Sequence, residues 1–213
     1  MAQNLRTANQ VLATAFLLGF FVLDSIFVVS PMLPFIMKEF SLSFSTGGLL
    51  FSVPIVLFVV TSFVAGILSD KLGIKRTAGI GAILLAAGSP IRAASPDFFT
   101  LVFFTAFLGG AYGFLLPTLP KMVGAWFPPQ ILGKATGVYI NGLYFGAAFG
   151  VSATIPVLYP LTSSWRGAVL VTGILAIISA GLWWLLAKEP PRRQEPKEIG
   201  TIGKKIIPYF KGK

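Results

Sequence analysis

Residues 66–76 read GILSDKLGIKR and separate two long apolar runs. In eleven positions they hold one carboxylate, three bases and two glycines: Asp70, then Lys71, Lys75 and Arg76, with Gly66 and Gly73. A short polar link between apolar segments keeps two antiparallel helices adjacent, and glycine permits the tight turn or close approach that such a link needs. A plain turn needs only a base or two. This one sets Asp70 beside Lys71, so the carboxylate either faces a helix N-terminus or pairs with a base, and in both cases makes a breakable latch.

The rest of the chain explains why a polar knot stands out. Its 213 residues are 55% hydrophobic and 11% charged, against roughly 25% charged in a soluble globular domain. The composition is that of an integral membrane protein whose first partner is the lipid bilayer. There is no Cys and no His, which excludes thiolate nucleophiles, disulfides, CxxC metal knots and imidazole chemistry. No span brings together an acid, a base and a nucleophile, so no enzyme, metal site or cofactor is expected. The 17 Lys and Arg outnumber 7 Asp and Glu, yet they are not interleaved with aromatics on a soluble face, and a nucleic-acid partner is not expected.

Runs of about 20 apolar residues predict six transmembrane helices, near residues 11–35, 46–68, 77–94, 99–123, 133–159 and 165–186. The first run is too long for a cleaved signal peptide and is followed by charge and another span. With the N-terminus inside, fourteen bases fall on the inner side and three, Lys38, Arg92 and Arg166, on the outer. This positive-inside bias predicts both termini in the cytoplasm and accounts for the basic excess by topology and lipid contact. The plasma (inner) membrane is the expected location. The opening stretch then becomes the cytoplasmic link between the second and third helices.

In that place the stretch resembles the signature of the major facilitator superfamily, Gly-x-Leu-(Ser/Ala)-Asp-(Lys/Arg)-x-Gly-x-(Lys/Arg)-(Lys/Arg). Gly66, Leu68, Ser69, Asp70, Lys71, Gly73, Lys75 and Arg76 fill every position. The resemblance extends along the first 187 residues or so. WFPPQILGKATG at 126–137 is similar to the family's link between helices four and five, and SSWR at 163–166 to the outer edge of its sixth helix. Two departures stand out: Ile131 and Leu132 replace the base usual just before Gly133, and Ala106 occupies the place of the fourth-helix Arg of many proton-linked members. The second weakens the case for that kind of proton relay.

An internal repeat points the same way without the family. PMLP at 31–34 recurs as PTLP at 117–120, and the same offset of 86 carries Gly47 onto Gly133. Each unit would hold three helices, and an odd number of spans forces the second copy into inverted orientation. The expected fold is therefore an all-α membrane protein, residues 1–187 forming two inverted three-helix repeats, one six-helix half of the family. Residues 188–213, which open AKEPPRRQEP from residue 187 on, read as a basic cytoplasmic tail or a truncated interdomain loop. The end of that segment, with Ile199, Ile206 and Phe210 among lysines, either lies on the membrane surface or is disordered.

Asp24, in FFVLDSIF, is the one acidic residue at predicted membrane depth. A charge there costs about 2.5–3.5 kcal/mol, so it faces a polar interior or is protonated. Two readings stand: binding of substrate or a coupling cation, or a structural carboxyl satisfied by Ser25 or a tyrosine of another helix. Some cation-linked members of the resembled family carry an acid in this helix. For Arg92 the simpler reading is snorkelling to the interface, and the alternative is an outer gate or attraction of an anion. Tyr112, Tyr139, Asn141 and Tyr144 bring hydrogen-bonding groups to membrane depth, either to line a cavity or to bind neighbouring helices. Tyr112 and Asn141 join Asp24 as candidate binding residues. Gly142, Gly146 and Gly150, four apart, predict close packing along one face of the fifth helix.

The resemblance implies that substrate sits between two six-helix halves and that the Asp70 latch faces a helix of the other half. The expected function is transport of a small polar or organic solute by alternating access, with a second six-helix half as partner. Residues 66–76 would then form part of the cytoplasmic gate. A natural split, a homodimer and a truncated product all fit a single half. The alternative function is a non-transporting accessory protein that associates with a full carrier.

Overall fold

The computed structural model describes residues 2–190, with the side chains of 2–4 set aside. The reading of the distal segment as a surface or disordered tail lies outside the described residues. Within them every regular element is helical: α1 (Ala2–Phe27), α2 (Val29–Glu39), α3 (Phe44–Gly47), α4 (Leu49–Leu72), α5 (Ile74–Ile91), α6 (Phe98–Trp126), α7 (Pro129–Ser152), α8 (Tyr159–Thr162) and α9 (Trp165–Leu186). A single 3₁₀ turn, Arg92–Ala94, follows α5, and a π-helical turn, Thr154–Leu158, follows α7.

Six spans emerge when broken helices are joined. The first is α1 with α2, interrupted at Val28 just before Pro31 and Pro34, which supply no backbone N–H to the helical ladder. The fifth is α7 with α8, bent by 54° through the π turn, and the other four are single runs long and apolar enough to cross a bilayer. The observed helices overrun the sequence-based limits. The second span continues to Leu72, and Gly73 alone, at φ 92°, separates it from α5. The eleven-residue stretch is thus the last turns of one helix and the first of the next, joined by one residue. Only glycine holds that backbone conformation without strain.

Packing is reciprocal between the two sets of three spans. α4 lies along α6, and α7 lies along α1; α5 backs α6, and α9 backs α1. Small residues allow both close contacts. A Cβ on Gly109 of α6 would stand 1.9 Å from the Pro54 carbonyl oxygen of α4, and one on Gly146 of α7 would stand 1.9 Å from that of Phe20 in α1. The expected close packing of the fifth-helix glycines is therefore present, and its partner is α1. One core, including Leu18, Val22, Leu85, Leu115 and Trp183, fills the space between α1, α5, α6 and α9. A second, with Met32, Ile36, Leu101 and Trp165, closes the end farther from the 66–76 stretch.

α4 stands at the edge. Only 17% of its most apolar window is buried, against 56% for the first and fourth spans, and Ile55, Val59, Val60 and Phe63 are exposed. α1 and α6 form the middle of the same face, flanked by α4 and α7.

Candidate functional site

Three clusters carry polar chemistry. At the end of the bundle that holds the signature, Asp70 closes the last turn of α4, where it accepts a hydrogen bond from Lys121 of α6 at 3.2 Å. The same ammonium donates to Ser69 Oγ at 2.7 Å, and Ser69 donates to the Gly66 carbonyl at 2.8 Å. Of the two latches open to Asp70, pairing with a base is the one formed within this chain. The other, a helix N-terminus, is taken by a different carboxylate. Glu189 Oε1 accepts from the Ile74 amide at 2.6 Å and Glu189 Oε2 from the Lys75 amide at 3.1 Å, satisfying donors that open α5.

Gly73 makes room for this contact, since a Cβ there would stand 2.6 Å from Glu189 Oε1. Lys75 works in the opposite sense, reaching from α5 to donate to the Trp184 carbonyl of α9 at 3.4 Å, while Trp183 Nε1 donates back to the Lys75 carbonyl at 3.2 Å. Lys71 and Arg76 are exposed beside it, and together with Asp70, Lys188 and Glu189 they border a polar hollow of about 770 Å³. Close approach at Gly66 is not part of the arrangement: a Cβ there would meet open space among the described residues. Lys121 and Glu189 escaped the sequence reading because neither belongs to the signature. The one signal for Glu189 was its place immediately before the Pro-Pro-Arg-Arg run.

Deep in the bundle, α1 carries Asp24 and Ser25, and the end of α5 carries Ser89 and Arg92. All four are fully buried. Ser25 and Ser89 hydroxyls bond to one another at 2.8 Å; Arg92 Nη2 donates to the Ser25 carbonyl at 2.8 Å, and Nε to that of Ser89 at 3.4 Å. Snorkelling is overturned. The 3₁₀ turn after Ile91 folds the guanidinium back onto α1, whose last turn offers a carbonyl, so Nη2 and Nε donate inside the protein rather than to water. The reading of Asp24 as a carboxyl satisfied by Ser25 or a tyrosine is also corrected. Ser25 is engaged with Ser89, and neither Asp24 oxygen has a hydrogen-bond partner among the described residues. Arg92 is the opposite charge beside it, with Nη1 likewise unpaired. In a low-dielectric interior two such charges attract strongly over several ångströms.

The third cluster is a pocket of about 550 Å³ on the open face between α4 and α7, floored by α1 and α6. Leu23, Phe27, Phe51, Phe58, Tyr112 and Tyr144 are among its lining residues. Phe58 and Tyr112 stack with centroids 4.8 Å apart. Tyr112 thus lies in a cavity; Asp24 does not line it, although its neighbour Leu23 does. Asn141 is exposed on α7 one turn before Tyr144, on the same helix face but outside the pocket. The three candidate binding residues are therefore not brought to one point. Tyr144 is the pocket residue that the choice among the four polar residues left out.

At the opposite end from the signature, Glu39 pairs with Arg166 and accepts from Trp165 Nε1 at 2.6 Å, while Arg166 Nη2 donates to the Ser95 carbonyl at 2.8 Å. The SSWR stretch thereby ties the first, third and sixth spans together.

Relatives share this architecture at greater length. The chain is 30% identical over 175 residues to the hexuronate transporter of Bacillus subtilis, which covers 82% of this chain and 41% of that protein. It is 31% identical over 154 residues to the galactose-proton symporter of Escherichia coli, covering 71% and 33% respectively. Its fold matches that of the proton:xylose symporter XylE bound to 6-bromo-6-deoxy-D-glucose with a TM-score of 0.74 at 18% identity, over 96% of this chain and 50% of that one. The chain thus spans half or less of the length of these proteins. With several apolar spans, a complete loop signature and a family profile matched over residues 15–212, this integral membrane chain belongs to the Major Facilitator Superfamily.

Proposed function

We propose that the chain forms one wall of a secondary transporter that moves a small polar or organic solute by alternating access, the second wall coming from another six-helix half. The observation that carries this reading is the Asp24–Arg92 pair: opposite charges, both fully buried at membrane depth, with the carboxylate free of hydrogen bonds from the described residues. Membrane proteins seldom keep such groups without a use for them. Arg92 supplies from the third span the intramembrane base that Ala106 does not supply from the fourth. A proton on Asp24 cancels its charge and leaves Arg92 without its counter-charge, which changes the balance between α1 and α5 where Ser25 and Ser89 hold them together. The galactose-proton symporter among the relatives makes a proton the first coupling cation to test.

The 66–76 stretch is the gate at the cytoplasmic end of this cycle. Asp70, exposed and held across helices by Lys121 and locally by the Ser69 hydroxyl, is free to exchange the Lys121 contact for a helix terminus of the other half as the two halves rock.

The test has two steps. Native mass of the detergent-extracted protein from its own host is expected to exceed that of one chain, through association with a second six-helix half. A lone monomer there contradicts the partner. In reconstituted vesicles, a pH gradient is expected to drive solute accumulation, and Asp24→Asn is expected to abolish it. Undiminished accumulation by the variant would end Asp24's coupling role.

A further inference from the structure

From the open-face pocket we infer a substrate class: an aromatic, apolar-bodied small molecule bearing one or two hydrogen-bonding groups, which Tyr112 and Tyr144 engage. Calling this molecule cargo rests on the transport reading above; the binding itself does not.

The lining is unusual for a polar cargo. Of its eleven residues only the two tyrosines carry a polar side chain, and none carries a charge. Asp24 and Arg92, the charges at comparable depth, are fully buried and do not line the pocket. A polyhydroxylated or multiply charged solute would surrender its water here to hydrocarbon, because a site selects a polar ligand only by offering partners for its hydroxyls or charges. A flat ring loses little water and gains contact with Phe27, Phe51 and the stacked Phe58–Tyr112 pair. The volume of about 550 Å³ falls within the range of small-molecule sites, which combine apolar walls with a few orienting polar groups.

The two phenols also argue against an acyl chain as occupant. Tyr144 is 69% exposed and lies on α7, while Tyr112 comes from α6, so two helices bring phenol side chains to one apolar hollow. A hydroxyl facing hydrocarbon has no partner there, whereas a ligand donor or acceptor supplies one.

The experiment measures equilibrium binding of radiolabelled indole to the purified chain in lipid nanodiscs, with toluene as an apolar control and glucose and succinate as polar counterparts. Indole is expected to bind saturably, and Tyr112→Phe and Tyr144→Phe each to weaken it by about 3- to 10-fold, the effect of one lost hydrogen bond. Toluene binding should change less than twofold. Both replacements are conservative, and elution of the variants as the parent establishes their fold. Preferential binding of glucose or succinate, non-saturable indole uptake, or unchanged affinity in both variants would overturn the assignment. Indole binding by a protein that shows no solute flux would keep the pocket and remove the transport reading, while gradient-driven glucose flux without indole binding would do the reverse.

Discussion

The Nη2 of Arg92 donates to the backbone carbonyl of Ser25 at 2.8 Å, one residue beyond Asp24, across 67 positions of sequence. This bond turns an arginine at the end of a span inward and makes it the counter-charge of a buried acid. Removing one partner of such a pair strands the other in a medium that cannot solvate it.

Arg92→Leu is therefore expected to lower stability by about 3–5 kcal/mol, while the double variant Asp24→Asn/Arg92→Leu recovers a large part of the loss. Thermal unfolding in detergent reads both. Equal stability of the parent and the single variant would contradict the pairing.

Asp70 and Lys121 behave differently, because their side chains are 78% and 43% exposed. A pair this wet contributes at most about 1 kcal/mol, so Asp70→Asn should leave the melting temperature nearly unchanged. Solute flux, where it is measured, should nonetheless fall severalfold, and Lys121→Gln should have a smaller effect, since it spares the carboxylate.

Glu189 caps the start of α5 from 115 positions away. Glu189→Gln should remove a charge–dipole contribution of about 0.3–1 kcal/mol, seen as faster hydrogen exchange at the Ile74 and Lys75 amides. Gly73→Ala should cost more, because φ 92° strains any side chain and the new Cβ meets the carboxylate. Unchanged exchange in both variants would rule out the cap.

At the other end, Asp97 caps α6 by accepting from the Thr100 amide at 2.9 Å. That bond, with a second from the Thr100 hydroxyl, holds its carboxyl below the ordinary value of 3.8. A depressed folded value means stability fully present above pH 3.8 and lost as pH falls through the lower folded value. The stability gap between parent and Asp97→Ala should accordingly be constant near neutrality and narrow only in strong acid, as a pH series of unfolding midpoints would show. A gap that narrows between pH 7 and 5 would point to another group.

Much of the candidate site was legible before any coordinates. Residues 66–76 announced a polar link, and Gly73 its turn, because a left-handed backbone position selects glycine whatever surrounds it. Asp24 announced itself by hydropathy alone. Arg92, by contrast, reads as an interfacial base until the 3₁₀ turn is seen to aim it at α1, and Glu189 reads as the start of a linker until it is found on α5. Tyr144 was one of four equivalent polar residues until the packing of α7 against α1 set it opposite Tyr112.

The sequence by itself determined the number of spans, their order, the loop signature and the family, because hydropathy, turn chemistry and motif spacing act over a few residues and are written locally. Tertiary structure alone decided which charges meet. Asp70 with Lys121, Arg92 with Ser25 and Glu189 with α5 are separated by 51, 67 and 115 positions, and no local pattern encodes such distances. Burial against a neighbouring helix, which fixes whether a charge reaches water or must find its partner inside, exists only once the helices have packed.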